Sequence, residues 1–359
     1  MKSVLVCALM AAVLFPPRAL AADLGDNAAL VYWQAFASLG RLSDAEAKML
    51  TKWREAKVDA KATVATLDRH SDTLQLLHKA AASEACDWGL DTSEGFNMLM
   101  PHLGKARQLG RLACLRARVR LGEGNADGAV ADLRAASGLA LHTGRPPMLI
   151  SQLVQLALQR HVLEVLEDDA HRLAPAQRKA LIADLARWLP VPSVVDGLRM
   201  EKQLALDWLP QALQDPKIRR ELVGEASPAA AAFIDGQLKF LEEDYDAIIA
   251  AAAKSPAELA RVEAQVIGRA KTQLRPLTAM LLPSVSAAMN ALEAQRGRVQ
   301  MTRAALAYMD EGVAALKRFP DPIGGEPFAI RKAAGSFTFT SKLTARDKPV
   351  SMTFQAPTK

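Results

Sequence analysis

The sequence predicts a mostly α-helical protein, a multi-helix assembly of antiparallel hairpins with the potential to stack as a solenoid, closed by a small C-terminal β appendage. Three observations predict it. Alanine and leucine dominate, aromatic residues make up 5% of the chain, and β-branched residues are sparse before the last stretch, which favours helix. Apolar residues recur at helical spacing through most of the chain. Past Phe319-Pro320-Asp321-Pro322 the period shortens to the alternation of strands.

The first segment stands apart. Lys2 precedes an apolar run from Val4 to Phe15, then Pro16-Pro17 and the small-residue tripeptide Ala19-Leu20-Ala21, the layout of a cleavable signal peptide over residues 1–21. The run is too short for the ~20 residues a membrane-crossing helix needs. Cys7 lies inside it, misplaced for a lipidated N-terminus. Later apolar stretches (Pro228 to Ile234, Ile248 to Ala253, Leu277 to Leu292) are short or broken by Pro or Asn, so no membrane span is expected after processing. The expected location is exported, periplasmic or extracellular, with the mature chain soluble.

Residues 22–318 form the expected helical domain, with a subdivision near 190. Asp26-Asn27 cap a helix carrying Leu30, Val31, Trp33 and Phe36, and Gly40 ends it. Ser43-Asp44 open a second helix, and a third is expected from about Asp59 to Ala82. Cys86 to Asp91 reads as a turn. Leu103 to Leu121 and Asp127 to Leu141 make a hairpin around Gly122 to Asn125. Its small and apolar positions Ala117, Gly124, Ala129, Leu133 and Ala136 match a tetratricopeptide-like unit, yet no neighbouring copy follows at the required period, so a single hairpin is the preferred reading. Met148 to Leu166 is strongly apolar except for Ser151, Gln152, Gln155 and Gln159, which places it near the core centre. Ala174 to Trp188 ends at Pro190 and Pro192. Helices over residues 194–213, 229–253, 256–272 and 285–316 complete the domain. Residues 319–359 are the β-containing appendage, with strands at 327–330, 336–340 and 350–354.

Charge is nearly balanced. The chain has 45 Lys plus Arg against 39 Asp plus Glu, and loss of Lys2 and Arg18 with the signal leaves 43 against 39. Acidic residues are interspersed with basic ones almost everywhere, which argues against nucleic acid as a partner. The densest basic run (Lys105, Arg107, Arg111, Arg116, Arg118 and Arg120) reads as a solvated helix face in preference to a polyanion site. With Cys7 removed, two cysteines remain, Cys86 and Cys114. In an oxidising compartment they could form a disulfide contributing about 3 kcal/mol; equally, Cys114 could be a small buried hydrophobe.

Asn27 to Phe36, and Cys86-Asp87-Trp88-Gly89-Leu90 leading to Leu99-Met100-Pro101-His102-Leu103, resemble uncharacterised exported helical proteins of bacteria, which implies fold and location only. The helix Met301 to Leu316 with Asp321 to Phe328 and the short strands resembles the globular part of type II secretion pseudopilins. The long N-terminal apolar helix that assembles such fibres is missing here.

No catalytic, cofactor-binding or metal motif is present. His161 and Glu164 sit one turn apart with Asp168, Asp169 and His171 following, and a solvated helix end is the preferred reading. His70 and His78 are expected two turns apart on one helix. Glu242, Glu243, Asp244 and Asp246 point in different directions on a helix and read as an exposed face or partner surface. The leading expectation is an exported scaffold or interaction protein that binds another envelope protein or a peptide in an α-helical groove. The alternatives are an envelope hydrolase with Trp88, His102 and His161 meeting between helices, and an accessory component of a secretion system.

Overall fold

The computed structural model describes residues 26–189, 191–223, 230–273, 275–282, 284–345 and 348–357. The proposed signal segment and Cys7 lie outside these. The described chain is mostly helical with a three-stranded antiparallel sheet at its C-terminal end.

The helices are α1 (Ala28–Leu39), α2 (Asp44–Thr51), α3 (Lys61–Arg69), α4 (Ser71–Ala81), α5 (Pro101–Gly122), α6 (Ala126–Thr143) and α7 (Leu149–Asp169). They continue with α8 (Pro175–Ala186), α9 (Val194–Ala212), α10 (Pro216–Val223), α11 (Ala230–Ala252), α12 (Pro256–Thr272), α13 (Pro276–Leu281) and α14 (Val285–Glu311). Their starts follow the expected chemistry. The Asn27 side chain accepts from the Ala29 amide, and Ser43 forms a capping box with Glu46. Gly40, at φ 58, ends α1 in a conformation that favours glycine.

Two helix boundaries and two short helices differ from the sequence reading. The helix expected over Asp59 to Ala82 is two, broken at His70, so His70 and His78 do not share a helix. The helix expected to reach Leu316 stops at Glu311, where Gly312 takes φ 64 and a 3-10 segment follows. The short helices α10 and α13, each starting at a proline, are additions to the expected set.

The core has two parts. The larger gathers α1 to α8, the second half of α14 and the sheet around residues such as Tyr32, Leu77, Leu112, Leu133, Leu163 and Leu306. The hairpin of α5 and α6 packs here, with Ala117, Ala129, Leu133 and Ala136 all at most 1% exposed. As its composition requires, α7 runs through the centre, against α5, α6, α14 and β3. The second core joins α9, α11, α12 and α13 through Leu198, Leu209, Tyr245, Leu259 and Leu277. Leu149 and Leu156 of α7, with Val285 and Leu292 of α14, bind it to the first.

The sheet has strand order β1 (Ala329–Ala333), β2 (Ser336–Ala345), β3 (Lys348–Gln355). Phe337 pairs with Phe354 and Phe339 with Met352, and these side chains are buried on one face against α14 and α7. This is the alternation of a half-buried sheet. Asp321, at the predicted break, ties the turn to β2: its carboxylate accepts from the Ser341 hydroxyl at 2.9 Å and the Lys342 amide at 2.7 Å.

Candidate functional site

The residues expected to meet in a hydrolase site do so only in part. Trp88 and His102 stack with ring centroids 4.5 Å apart, inside an aromatic box that includes Tyr32, Trp33 and Phe36. The Trp88 indole N–H donates to the His142 carbonyl at 2.9 Å, and the Tyr32 hydroxyl lies 2.9 Å from His142 Nδ1. His102 is fully buried, and neither ring nitrogen has a hydrogen-bond partner. Burial pulls both His102 and His142 down to about 4, so both are neutral at physiological pH. His161 is elsewhere. It meets Arg111, nine residues and about 13 Å of helix rise along α5 from His102, and packs edge-on against Trp53. The box is therefore packed core, and His161 lies outside it.

In charged segments that read as solvated, some side chains are exposed as expected, among them Arg107, Glu242, Glu243 and Asp246, and others are used internally. Arg116 and Arg120 of α5 both donate to Asp132 of α6, which is fully buried and also 2.7 Å from His78 Nε2 of α4. Arg118 donates to Asp169 and to the Arg54 carbonyl, and Lys105 to the Gly40 carbonyl. The acidic end of α7 is clamped in the same way. Arg54 grips Asp168 with two hydrogen bonds of 2.7 and 2.6 Å, and Arg160 reaches Glu164 and Glu167. In the cluster at 242–246, Asp244 is buried and held by Arg269, Arg275 and Thr278, while Glu242 and Asp246 share Lys202. The physical reason is common to all three: helix-to-helix contacts bring opposite charges together that are remote in sequence.

The bridge between Cys86 and Cys114 is not formed. Both thiols are free, Cys86 half-buried and Cys114 fully buried on α5, where it takes the small-hydrophobe role. Burial raises both, Cys86 to about 12.

Two of the cavities among the described residues are candidate sites. A cleft of about 720 Å³ runs between the C-terminal end of α4, α6 and the end of α8. Its floor carries the small residues Ala131, Ala135 and Gly138. Gly138 is required there, because a Cβ would lie 2.8 Å from the Ala81 Cβ and 2.9 Å from the Ala81 carbonyl oxygen. Around it stand Arg134, Arg145 and Arg187, all exposed, with Glu84 the one acidic side chain among the described residues of the wall. Arg134 and Arg187 lean on Asp184 at 2.7 and 3.0 Å, and Arg145 donates to the Glu84 carbonyl. Much of each arginine side chain still faces solvent.

The second cavity, of about 360 Å³, lies where the two cores meet. Phe96, Met98, Met100, Met148 and Leu281 line it, with Ile150 and Leu153 half-exposed at its edge. Among the described residues, its one ionisable wall residue is Glu201 of α9. No sequence pattern pointed to Glu201 or to the three arginines. The one local signal was the alternation Met98-Leu99-Met100 just before Pro101, apolar residues in a segment too irregular to be helix. Among the described residues, no group of three His, Cys, Asp or Glu side chains is placed to hold a metal ion, and no helix is long and apolar enough to cross a membrane.

No known protein family, no curated protein and no solved structure matches the chain.

Proposed function

We propose that the chain is an exported interaction protein that holds an acidic peptide segment of a partner in the cleft between α4, α6 and α8. The observation that carries this reading is the cleft itself: a floor of small side chains that lets a peptide backbone approach, edged by three exposed arginines whose acidic neighbours are Glu84 and the Asp184 that Arg134 and Arg187 share. Guanidinium groups offer two parallel donors to each carboxylate, so an acidic segment can be held by geometry as well as charge. Export is supported by the layout of residues 1–21, and a partner in the envelope follows from it.

Fluorescence anisotropy with labelled acidic and basic peptides tests the reading. Acidic peptides should bind, more weakly as salt rises, with basic ones inert. Arg145→Glu and Arg187→Glu should each weaken binding about tenfold, the order expected for a lost charge-assisted contact. Equal affinity of wild type and both variants would remove the cleft from consideration. N-terminal sequencing of the protein from the envelope fraction should begin at Ala22; an intact Met1 would remove the export reading.

A further inference from the structure

The methionine-lined cavity is chemically unlike the arginine cleft. Met98 and Met148 are 7% and 5% exposed and pack with Leu204, while Met100 and Met200 flank them. Thioethers on flexible side chains form an adaptable, polarisable apolar wall. At its edge, Ile150 is 41% and Leu153 36% exposed, so the apolar lining reaches the surface. The volume is at the lower end of the range for small-molecule sites and has room for roughly a dozen water-sized groups.

Glu201 sets the polarity of this space. It is 6% exposed, and its Oε1 accepts from the Leu149 amide at the start of α7, 3.0 Å away. Tyr245 faces it from α11, and the carboxylate's charge acts on that phenol. The neighbouring charges Lys202, Glu242 and Asp246 pair with one another. From the 3-10 segment Thr92–Asn97 the wall receives Gly95 and Phe96, with Glu94 exposed. Among the described residues, no basic side chain pairs with Glu201. A lone carboxyl surrounded by apolar groups is costly to ionise, and burial pushes it up to about 7. A cation placed beside it would supply the missing counter-charge.

We propose that this pocket is a binding site for a small lipophilic cation, an alkylamine or alkylammonium, with its chain on the methionines and its head on the Glu201 carboxylate. Phe96 adds an aromatic face, which attracts a cation directly. The site is separate from the arginine cleft, whose charge selects the opposite kind of ligand, so neither proposal depends on the other.

Isothermal titration of the full processed chain with octyltrimethylammonium, 1-octanol and octyl sulfate, at pH 6 and pH 8, tests it. The permanently charged ammonium should bind best. Its affinity should rise about tenfold from pH 6 to pH 8, because a carboxyl that titrates near 7 is about one-tenth ionised at the first and nine-tenths at the second. Glu201→Gln, which keeps an acceptor for the Leu149 amide, should bind octanol as before and lose both the preference for the cation and the pH dependence. Ile150→Lys, at the half-exposed edge, should weaken the ammonium at least tenfold and serves if Glu201→Gln does not fold. Equal binding of alcohol and ammonium to the wild type, absence of binding by all three probes, or a cation preference kept in Glu201→Gln, would each overturn the proposal.

Discussion

Replacing Glu201 with glutamine should make the protein more stable at neutral pH and leave it unchanged in mild acid. The carboxyl is buried at the junction of the two cores, and burial raises it from an ordinary value of 4.5 to about 7. The folded protein therefore keeps a proton that the unfolded chain releases. Glu201's contribution is complete below about pH 4.5, declines as pH rises towards 7, and stays lost above that. At about 1.4 kcal/mol per pH unit, a displacement of roughly 2.5 units amounts to about 3 kcal/mol. Glutamine has nearly the same size, can accept from the Leu149 amide, and does not titrate. The difference in unfolding free energy, variant minus wild type, should be near zero at about pH 4.5 and grow to about 3 kcal/mol in the variant's favour by about pH 8. Urea unfolding followed by circular dichroism at several pH values across this range measures it. The buried histidines titrate equally in both proteins and cancel in the subtraction. Parallel curves would refute the claim that Glu201 is held in an unpaired, dry environment.

The acid limb belongs to the aromatic box: His102 and His142, pulled down from 6.5 to about 4, support the fold fully above 6.5 and progressively less as pH falls towards 4. His102→Phe, which keeps a ring against Trp88, should flatten that limb by up to about 3 kcal/mol in pH-dependent urea titrations, and an unchanged slope would argue against it. Asp132→Ala should destabilise by roughly 3 to 5 kcal/mol, since it strands Arg116 and Arg120 without their shared carboxylate; a loss under about 1 kcal/mol in urea would show that water satisfies them. Under native conditions at mildly alkaline pH a thiol reagent should modify Cys86 slowly and leave Cys114 untouched until the protein unfolds. A non-reduced mass two hydrogens below the dithiol form would instead establish the bridge.

Much of the fold was legible because local patterns repeat. The first helix announces itself through Asn27, its apolar face and Gly40, each acting within a turn or two of chain. The strands announce themselves through Phe337, Phe339, Val350, Met352 and Phe354, spaced by two within each strand. The burial of Gln152 and Gln159 beside apolar neighbours on α7 was legible as a helix too apolar for the surface, although no local pattern names what they face: Gln159 meets Gln295 of α14 at 3.3 Å.

Those charged residues that turned out to be used internally were missed for the corresponding reason. Arg116 and Arg120 look like one basic stripe because helical spacing says which residues share a face, not which helix covers it. Asp132 covers this one. The same holds for Asp244, which is surrounded by Arg269 of α12, Arg275 just before α13 and Thr278 of α13. Neither cavity could be found in advance, since Met98, Met148 and Glu201 come from three separate segments and converge only when the two cores dock.

The amino-acid sequence by itself determined the helical class, the change to strands after Pro322, most helix starts and the balance of charge, because capping, periodicity and composition act over a few residues. Tertiary structure alone decided which charges are neutralised in the interior, that Cys86 and Cys114 stay apart, that the sheet closes the larger core, and that Glu201 lies among methionines with no counter-ion among the described residues. Those depend on contacts between segments tens to hundreds of residues apart, whose partners are chosen by packing.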